Sequence, residues 1–340
     1  MGKVIGVFSG KGGVGKTTLV ANMAASLTKE FGKRVVVVDT NVSTSHLGLH
    51  LGLYEDPKVT LKEVLLKKAT PASALYIHPS TGIRLLPAPL KGDFDGISLR
   101  GIENVVDQLS RDNDIVIVDA APGLGREVVA AIGTVDEAMV VATPDIPSVT
   151  DALKTINLIK KVDDGIDVLG LIVNRVQNER YELTRKEIES ACNINVITHI
   201  PEDSRVPESI AKGSPAVELY PHSKAGMSFN RLSAAIVNQT YDPHTLTYAL
   251  MKIFGLAKEE VVKIPPRSER EHMAKKKFRY NENEDEKTEP QGKDQTEERH
   301  DEARDIEKLT REINESVKAD LKKRLSMKIK EKLKERGIER

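Results

Sequence analysis

Near the start of the chain, Gly10-Lys11-Gly12-Gly13-Val14-Gly15-Lys16-Thr17 fits the spacing GxxxxGK[ST], and this segment constrains the fold more than any other. The pattern works only between a strand and a helix. An apolar run, Val4–Phe8, precedes it, and an amphipathic stretch, Lys16–Phe31, follows. Glycines let the backbone curl until successive N–H groups converge on one anion. The next helix aims its positive end at the same point. Lys16 is then placed to reach β- and γ-phosphate oxygens, the Thr17 hydroxyl to complete a Mg²⁺ shell, and Thr18 to close the contact set.

Short apolar, β-branched runs recur after this loop. Val4–Phe8, Arg34–Asp39, Ile83–Leu86, Ile115–Asp119, Ala138–Thr143, Val168–Asn174 and Val196–Ile200 read as strands. Several are nearly continuous Val and Ile, as parallel strands covered on both faces should be. Helical patterns lie between them at Lys16–Phe31, Leu61–Lys67, Leu99–Ser110, Val149–Val162 and Tyr181–Ala191. The alternation predicts an α/β fold with a doubly wound, mostly parallel sheet. Right-handed crossovers would gather the loops at the strands' C-terminal ends on one functional edge.

The second lysine, Lys11, makes the KGGVGKT stretch resemble the deviant Walker A signature of the MinD/ParA family of P-loop ATPases, and within it archaeal-type MinD. The likeness covers about residues 1–240 and implies a SIMIBI-type P-loop NTPase, ATP and Mg²⁺ as cofactors, and an ATP-dependent homodimer in which Lys11 reaches the partner's phosphates, rather like an arginine finger. A surface lysine without that role is the plain alternative. Asp119-Ala120-Ala121-Pro122-Gly123 is similar to the family's switch II segment. There Asp119 holds a Mg²⁺-bound water and the turn Pro122-Gly123 senses the γ-phosphate, although a strand-ending aspartate is also a common helix cap. Pro144–Asp151 resembles the family segment that leads into a helix near the dimer face. Asn174 and Arg175 close a strand where the family reads adenine, and Pro201, Glu202 and Asp203 stand where its base-flanking loop lies. An Asn amide can donate and accept at once, matching adenine's edge. Asn174 can equally be a strand-end turn residue.

One position departs from the pattern. After the second strand the family carries D-x-D, and this chain has Asp39-Thr40-Asn41. Asp39 matches the first acid and joins Thr17 and Asp119 as an expected metal ligand. Asn41 replaces the hydrolytic aspartate, so the expected catalytic set is Lys11, Lys16, Asp39 and Asn41. An Asn carbonyl can orient a water but is no useful base. ATP binding should survive while hydrolysis slows, so the resemblance implies an ATPase whose turnover this residue puts in doubt.

The chain has 340 residues and zero formal net charge, which argues for one large domain plus a further part and against a global field that recruits DNA. A lone cysteine, Cys192, excludes a disulfide framework and argues against an iron–sulfur carrier; it reads as a small buried side chain in a reducing cytosol. Neither a secretory leader nor a membrane span is evident, so the expected location is cytoplasmic, at most peripheral to the inner face of the cell membrane.

The expected organisation is an ATPase domain over 1–242, an amphipathic helix over 243–263, a charged disordered linker over 264–300 and a basic helical tail over 301–340. Thr245–Val262 has one apolar stripe and reads either as a last helix on the domain or as a docking element. In the tail, Ile306, Leu309, Ile313, Val317, Leu321, Leu325, Ile329 and Leu333 recur mostly every four residues. That stripe drifts around a helix, which disfavours a long coiled coil. The surrounding lysines suit an anionic membrane surface or an acidic protein partner. These features lead to a MinD-like positioning switch as the expected function. The alternatives are a ParA-like DNA-cargo ATPase, which would show steeply salt-dependent DNA binding, and an ATP-locked adaptor without turnover.

Overall fold

Four consecutive valines, Val35–Val38, are all buried, and they divide between two cores. Val36 and Val38 join one apolar cluster, and Val35 and Val37 join the other. Because successive strand side chains point to opposite faces, this division shows a sheet covered on both sides. The computed structural model describes residues 1–42, 45–55, 57–89, 97–243, 262–270, 308, 310–313 and 315.

The described strands are β1 (Lys3–Phe8), β2 (Val35–Asp39), β3 (Tyr76–Ile77), β4 (Arg84–Leu86), β5 (Ile115–Asp119), β6 (Glu137–Ala142), β7 (Asp167–Val176) and β8 (Val196–Pro201). They form one sheet in the order β3-β4-β2-β5-β1-β6-β7-β8. Only the short β3 runs antiparallel to its neighbour; every other pairing is parallel. The fold is therefore the doubly wound α/β architecture expected from the alternation.

Helices α1 (Lys16–Lys29), α2 (Leu47–His50), α9 (Ala216–Leu219) and α10 (Lys224–Ile236) contribute to one core. Helices α3 (Leu61–Leu65), α4 (Gly101–Asp112), α5 (Arg126–Ile132), α6 (Ile146–Val162) and α7 (Arg185–Cys192) contribute to the other. A further helix, α8, spans Arg205–Ala211. Cys192 is buried, as a small apolar side chain.

The two helix starts that differ most from expectation are explained by caps. α6 begins at Ile146 because the Asp145 carboxylate accepts the Ser148 N–H and Pro147 sits in the first turn, a position proline tolerates. α7 begins only at Arg185, because Thr184 and Glu187 form a capping box there.

The domain does not stop at residue 242. Val262 and Ile264 pack against the α10 core. The Arg270 Nε lies 3.1 Å from Asp167 at the start of β7, in an ion pair whose two side chains are only 10% and 14% exposed. Residues 264–270, at the start of the stretch expected to be a disordered linker, are held on the domain by this ion pair and by the Arg267 guanidinium, which donates to the Gly165 carbonyl at 3.2 Å. Apart from Val262, the expected helix over Thr245–Val262 lies outside the described residues, as do most of the linker and tail. Among those described, no helix is long and apolar enough to cross a membrane.

Candidate functional site

β1 delivers the chain into the glycine loop, and α1 begins at Lys16. Gly13 and Gly15 have φ of 81° and 94°, a region L side chains avoid. At Gly15 a Cβ would also lie 2.1 Å from the Asn174 Nδ2. Above Gly12, Gly13 and Gly123 the space is open, with nothing within 4 Å of a would-be Cβ. The loop is tight below and clear above, as a cradle for an anion must be.

The cradle floor is charged and dry. Lys16 is 6% exposed, and its Nζ lies 2.6 Å from the Asp119 carboxylate. Asp119 and Asp39 are direct register partners where β5 and β2 end. Asp39 accepts the Ser45 hydroxyl at 2.6 Å and the Asn41 N–H at 3.0 Å. Burial, and then the neighbouring Asp119 charge, push the Asp39 carboxyl up to about 7, against the pull of Ser45, the Asn41 N–H and Lys16. Two buried carboxylates beside one lysine leave an excess of negative charge that a divalent cation would relieve. No group of three His, Cys, Asp or Glu side chains is assembled among the described residues. Mg²⁺ in phosphate sites takes one or two carboxylates together with phosphate oxygens and waters, so Thr17, Asp39 and Asp119 fit that demand.

The Asp119–Gly123 segment is tied to the loop by its backbone. The Ala120 N–H donates to Val7, and the Gly123 N–H donates to the Ser9 carbonyl at 3.0 Å. Thr40 bonds the Asp119 carbonyl through both its N–H and its hydroxyl. Asn41 is 7% exposed in the same turn, next to the acid pair.

Lys11 behaves differently from Lys16. It is half-exposed, and its Nζ lies 3.3 Å from Asp145 at the head of α6. Burial is the largest influence on Asp145 and pushes its carboxyl up. The Thr143 hydroxyl, the Ser148 N–H and Lys11 together outweigh it and hold the group below its ordinary value. Gly10 packs so closely on α6 that a Cβ there would meet the Asp151 carbonyl at 2.4 Å.

Toward the β8 side, the Asn174 Nδ2 donates to the Val14 carbonyl at 2.7 Å, bracing the loop from below. Arg175 adopts φ 59° and faces Glu202 at 3.9 Å. Asp203 accepts the N–H groups of Arg205 and Ala225, so it ties the exit of β8 to α8 and α10. A groove of about 640 Å³ opens there, with Pro144, Val176, Asn178, His199 and Pro201 among its lining residues.

Residues 5–216 match the CobQ/CobB/MinD/ParA nucleotide binding domain. The chain belongs to the MinD/ParA family. It is 39% identical over 243 residues to an uncharacterised ATP-binding protein of Methanocaldococcus jannaschii, covering 71% of this chain and 90% of that one. Its structure resembles the cell division ATPase MinD of Pyrococcus furiosus, with a TM-score of 0.65 and 31% identity, covering 70% of this chain and 99% of that one. MinD of Pyrococcus horikoshii, solved with Mg-ADP, is similar at a TM-score of 0.64 and 30% identity, covering 69% of this chain and 96% of that one.

Within this MinD/ParA member, the structure brings Gly10–Thr18, Asp39, Asn41, Asp119, Pro122, Gly123 and Asn174 to one edge, at the ends of β1, β2, β5 and β7. Arg175 and Pro201–Asp203 stand beyond them, on β7 and at the end of β8. Sequence reasoning missed three supporting side chains. Ser45 braces Asp39, and Asp145 holds Lys11. His50 lies with its Nδ1 2.9 Å from the His46 carbonyl and its Nε2 3.2 Å from the Thr18 hydroxyl. Since a carbonyl only accepts, Nδ1 carries the proton and Nε2 accepts from Thr18. Burial lowers the His50 pKa, which favours that neutral form. Asp145 lies within the Pro144–Asp151 segment singled out above, though nothing in it paired that residue with Lys11; Ser45 and His50 fall in no motif.

Proposed function

We propose that the chain is an ATP-dependent dimerising switch of MinD type that recruits or positions partners at a membrane or protein site, with slow hydrolysis. The observation that carries this reading is the divergence of two lysines on one loop. Lys16 is buried at the floor beside Asp119, whereas Lys11 stands at the rim on a half-exposed carboxylate. A lysine meant for its own phosphate would have no reason to rest on α6. One held at the rim by a single exposed ion pair, a contact worth at most about 1 kcal/mol, is easily released toward a second copy.

In the proposed mechanism the loop N–H groups from Gly10 to Lys16 bind the phosphates, Lys16 moves its charge onto them, and Thr17, Asp39 and Asp119 hold the metal side. Bound ATP–Mg²⁺ supplies the γ-phosphoryl group that water takes up, leaving ADP and phosphate. Lys11 of each copy neutralises charge across the interface. Gly123, tied to Ser9, feels the γ-position through the loop. Asn41 orients the attacking water without taking its proton, so the dimer persists. Asn174, Arg175 and Pro201–Asp203 flank the base in this reading, supported by their position at the ends of β7 and β8. The basic tail then meets an anionic membrane or an acidic protein.

Size-exclusion chromatography with light scattering tests the reading. ATP–Mg²⁺ should convert wild type from monomer to dimer, Lys11→Ala should bind ATP as a monomer, and Lys16→Ala should lose binding while its melting transition stays cooperative. A wild type that binds ATP and remains monomeric at saturation rules the proposal out.

A further inference from the structure

Far along the chain, a short piece of the tail returns to the domain. Residues 308, 310–313 and 315 are helical, and Ile313 is 1% exposed within the core cluster that holds the buried faces of α5 and α6. Its neighbours Arg311, Glu312 and Glu315 are exposed, and so is Lys308. Among the described residues of the segment, one apolar side chain, Ile313, is buried against the domain. Two polar contacts fix where it lies. The Thr310 hydroxyl donates to the Leu124 carbonyl at 3.5 Å, and Glu312 pairs with Lys161 in the last turn of α6 at 3.4 Å.

Leu124 directly follows Gly123, whose N–H is bound to the Ser9 carbonyl of the phosphate loop. The docked segment thus touches the polypeptide one residue beyond the point where the switch meets the cradle. We propose that the α5–α6 face is an intramolecular docking surface whose occupant is the chain's own segment 308–315, and that ATP loading loosens this clasp and frees the basic tail. The surface suits this occupant. The seat is apolar, Lys161 offers a positive charge where the segment brings Glu312, and residues 271–307 could extend on the order of 100 Å, ample to reach it from Arg270. A tethered segment sees its site at an effective concentration in about the millimolar range. A contact of about millimolar affinity is then enough to hold the segment half the time and weak enough to be displaced.

Linkage makes the idea quantitative. If ATP weakens the clasp by some factor, the clasp weakens ATP binding by the same factor. Docking itself is independent of the function proposed above; only the coupling rests on it.

The test uses the full-length chain carrying Lys161→Cys and Glu312→Cys, treated with a short bismaleimide; wild type, whose Cys192 is buried, is the reaction blank. An intramolecular cross-link should form without nucleotide, fall at least about threefold with saturating ATP–Mg²⁺, and vanish when Ile313→Asp is added. In chains without the cysteines, Ile313→Asp and deletion of 301–340 should each lower the ATP concentration needed for dimerisation by about the same factor. Absence of the cross-link without nucleotide overturns the docking, as do cross-links found only between two copies. ATP binding is measured on the same samples by calorimetry. A chain that binds ATP yet keeps its cross-link overturns the coupling alone, whereas one that binds no ATP overturns the proposed function as well.

Discussion

The two ends of the nucleotide edge are built on different principles. At the phosphate end, β1, β2 and β5 stop side by side, and the side chains they deliver are buried, paired and fixed by backbone contacts. At the β8 end the strands carry register irregularities, and Arg175 and Glu202 face each other across 3.9 Å with about half of each side chain exposed. The first region is preorganised and brittle; the second has room to adjust. Substitutions should therefore have very unequal effects along one continuous edge.

The largest expected effect lies at Gly15. Gly15→Ala forces a side chain into φ 94° and against Asn174, which shifts the N–H groups aimed at the phosphates. Charge-assisted hydrogen bonds contribute about 1.5–3 kcal/mol each, so calorimetry should find ATP affinity reduced at least about a hundredfold. Retention of wild-type affinity would show that the phosphate end is more forgiving than its geometry implies.

Asn41→Asp comes next. Restoring a carboxylate base near Asp39 should raise single-turnover phosphate release at least about tenfold, within the range general bases contribute, with ATP affinity nearly constant. Equal rates for the two proteins would clear Asn41 of being the brake.

A smaller effect concerns stability in the absence of nucleotide and metal. The folded-state value of Asp39, about 7, lies above its ordinary 3.8. A raised carboxyl contributes stability that is fully present below about pH 4 and lost as pH climbs through 7. Asp39→Asn should thus flatten the pH dependence of urea unfolding between pH 5 and 8, and gain at least about 1 kcal/mol over wild type at pH 8. A steep dependence retained in the variant would place the titrating group elsewhere.

The smallest effect belongs to the adjustable end. Glu202→Ala removes an exposed pair, and such pairs contribute about 0–1 kcal/mol. The melting temperature should barely move, and ATP affinity should change less than about threefold. A larger loss would mean that the β8 end is as rigid as the phosphate end.

The same contrast explains what was legible in the sequence. Residues 10–17 could be placed because the loop's geometry demands glycine where φ is positive, and the central strands because burial on both faces demands unbroken Val and Ile. α10 was not seen, although Phe229, Leu232 and Ile236 recur at helical spacing on its buried face, because small and polar Gly226, Asn230 and Ser233 are buried beside them and dilute the stripe. α5 is seven residues long and follows a glycine-rich turn, too little for a periodic signal. Asn174 could be located at a strand end, but its bond to the Val14 carbonyl joins residues 160 positions apart, a relation no local pattern carries. The docked Ile313 was visible as one member of a drifting stripe, with nothing to say which member would be buried.

The ion pair between Lys16 and Asp119 imposes a rule on the order of events at this edge. Each partner neutralises the other in a dry setting, and stranding one member of such a pair costs about 3–5 kcal/mol. If Lys16 turns to a phosphate, Asp119 is left bare unless another positive charge replaces it. Nucleotide alone would have to meet that cost from its own affinity, and a cation alone would find Asp119 already engaged. Occupancy by either should therefore be poor in isolation and strong together, so the chain would register the Mg²⁺ complex as one signal and largely ignore its parts.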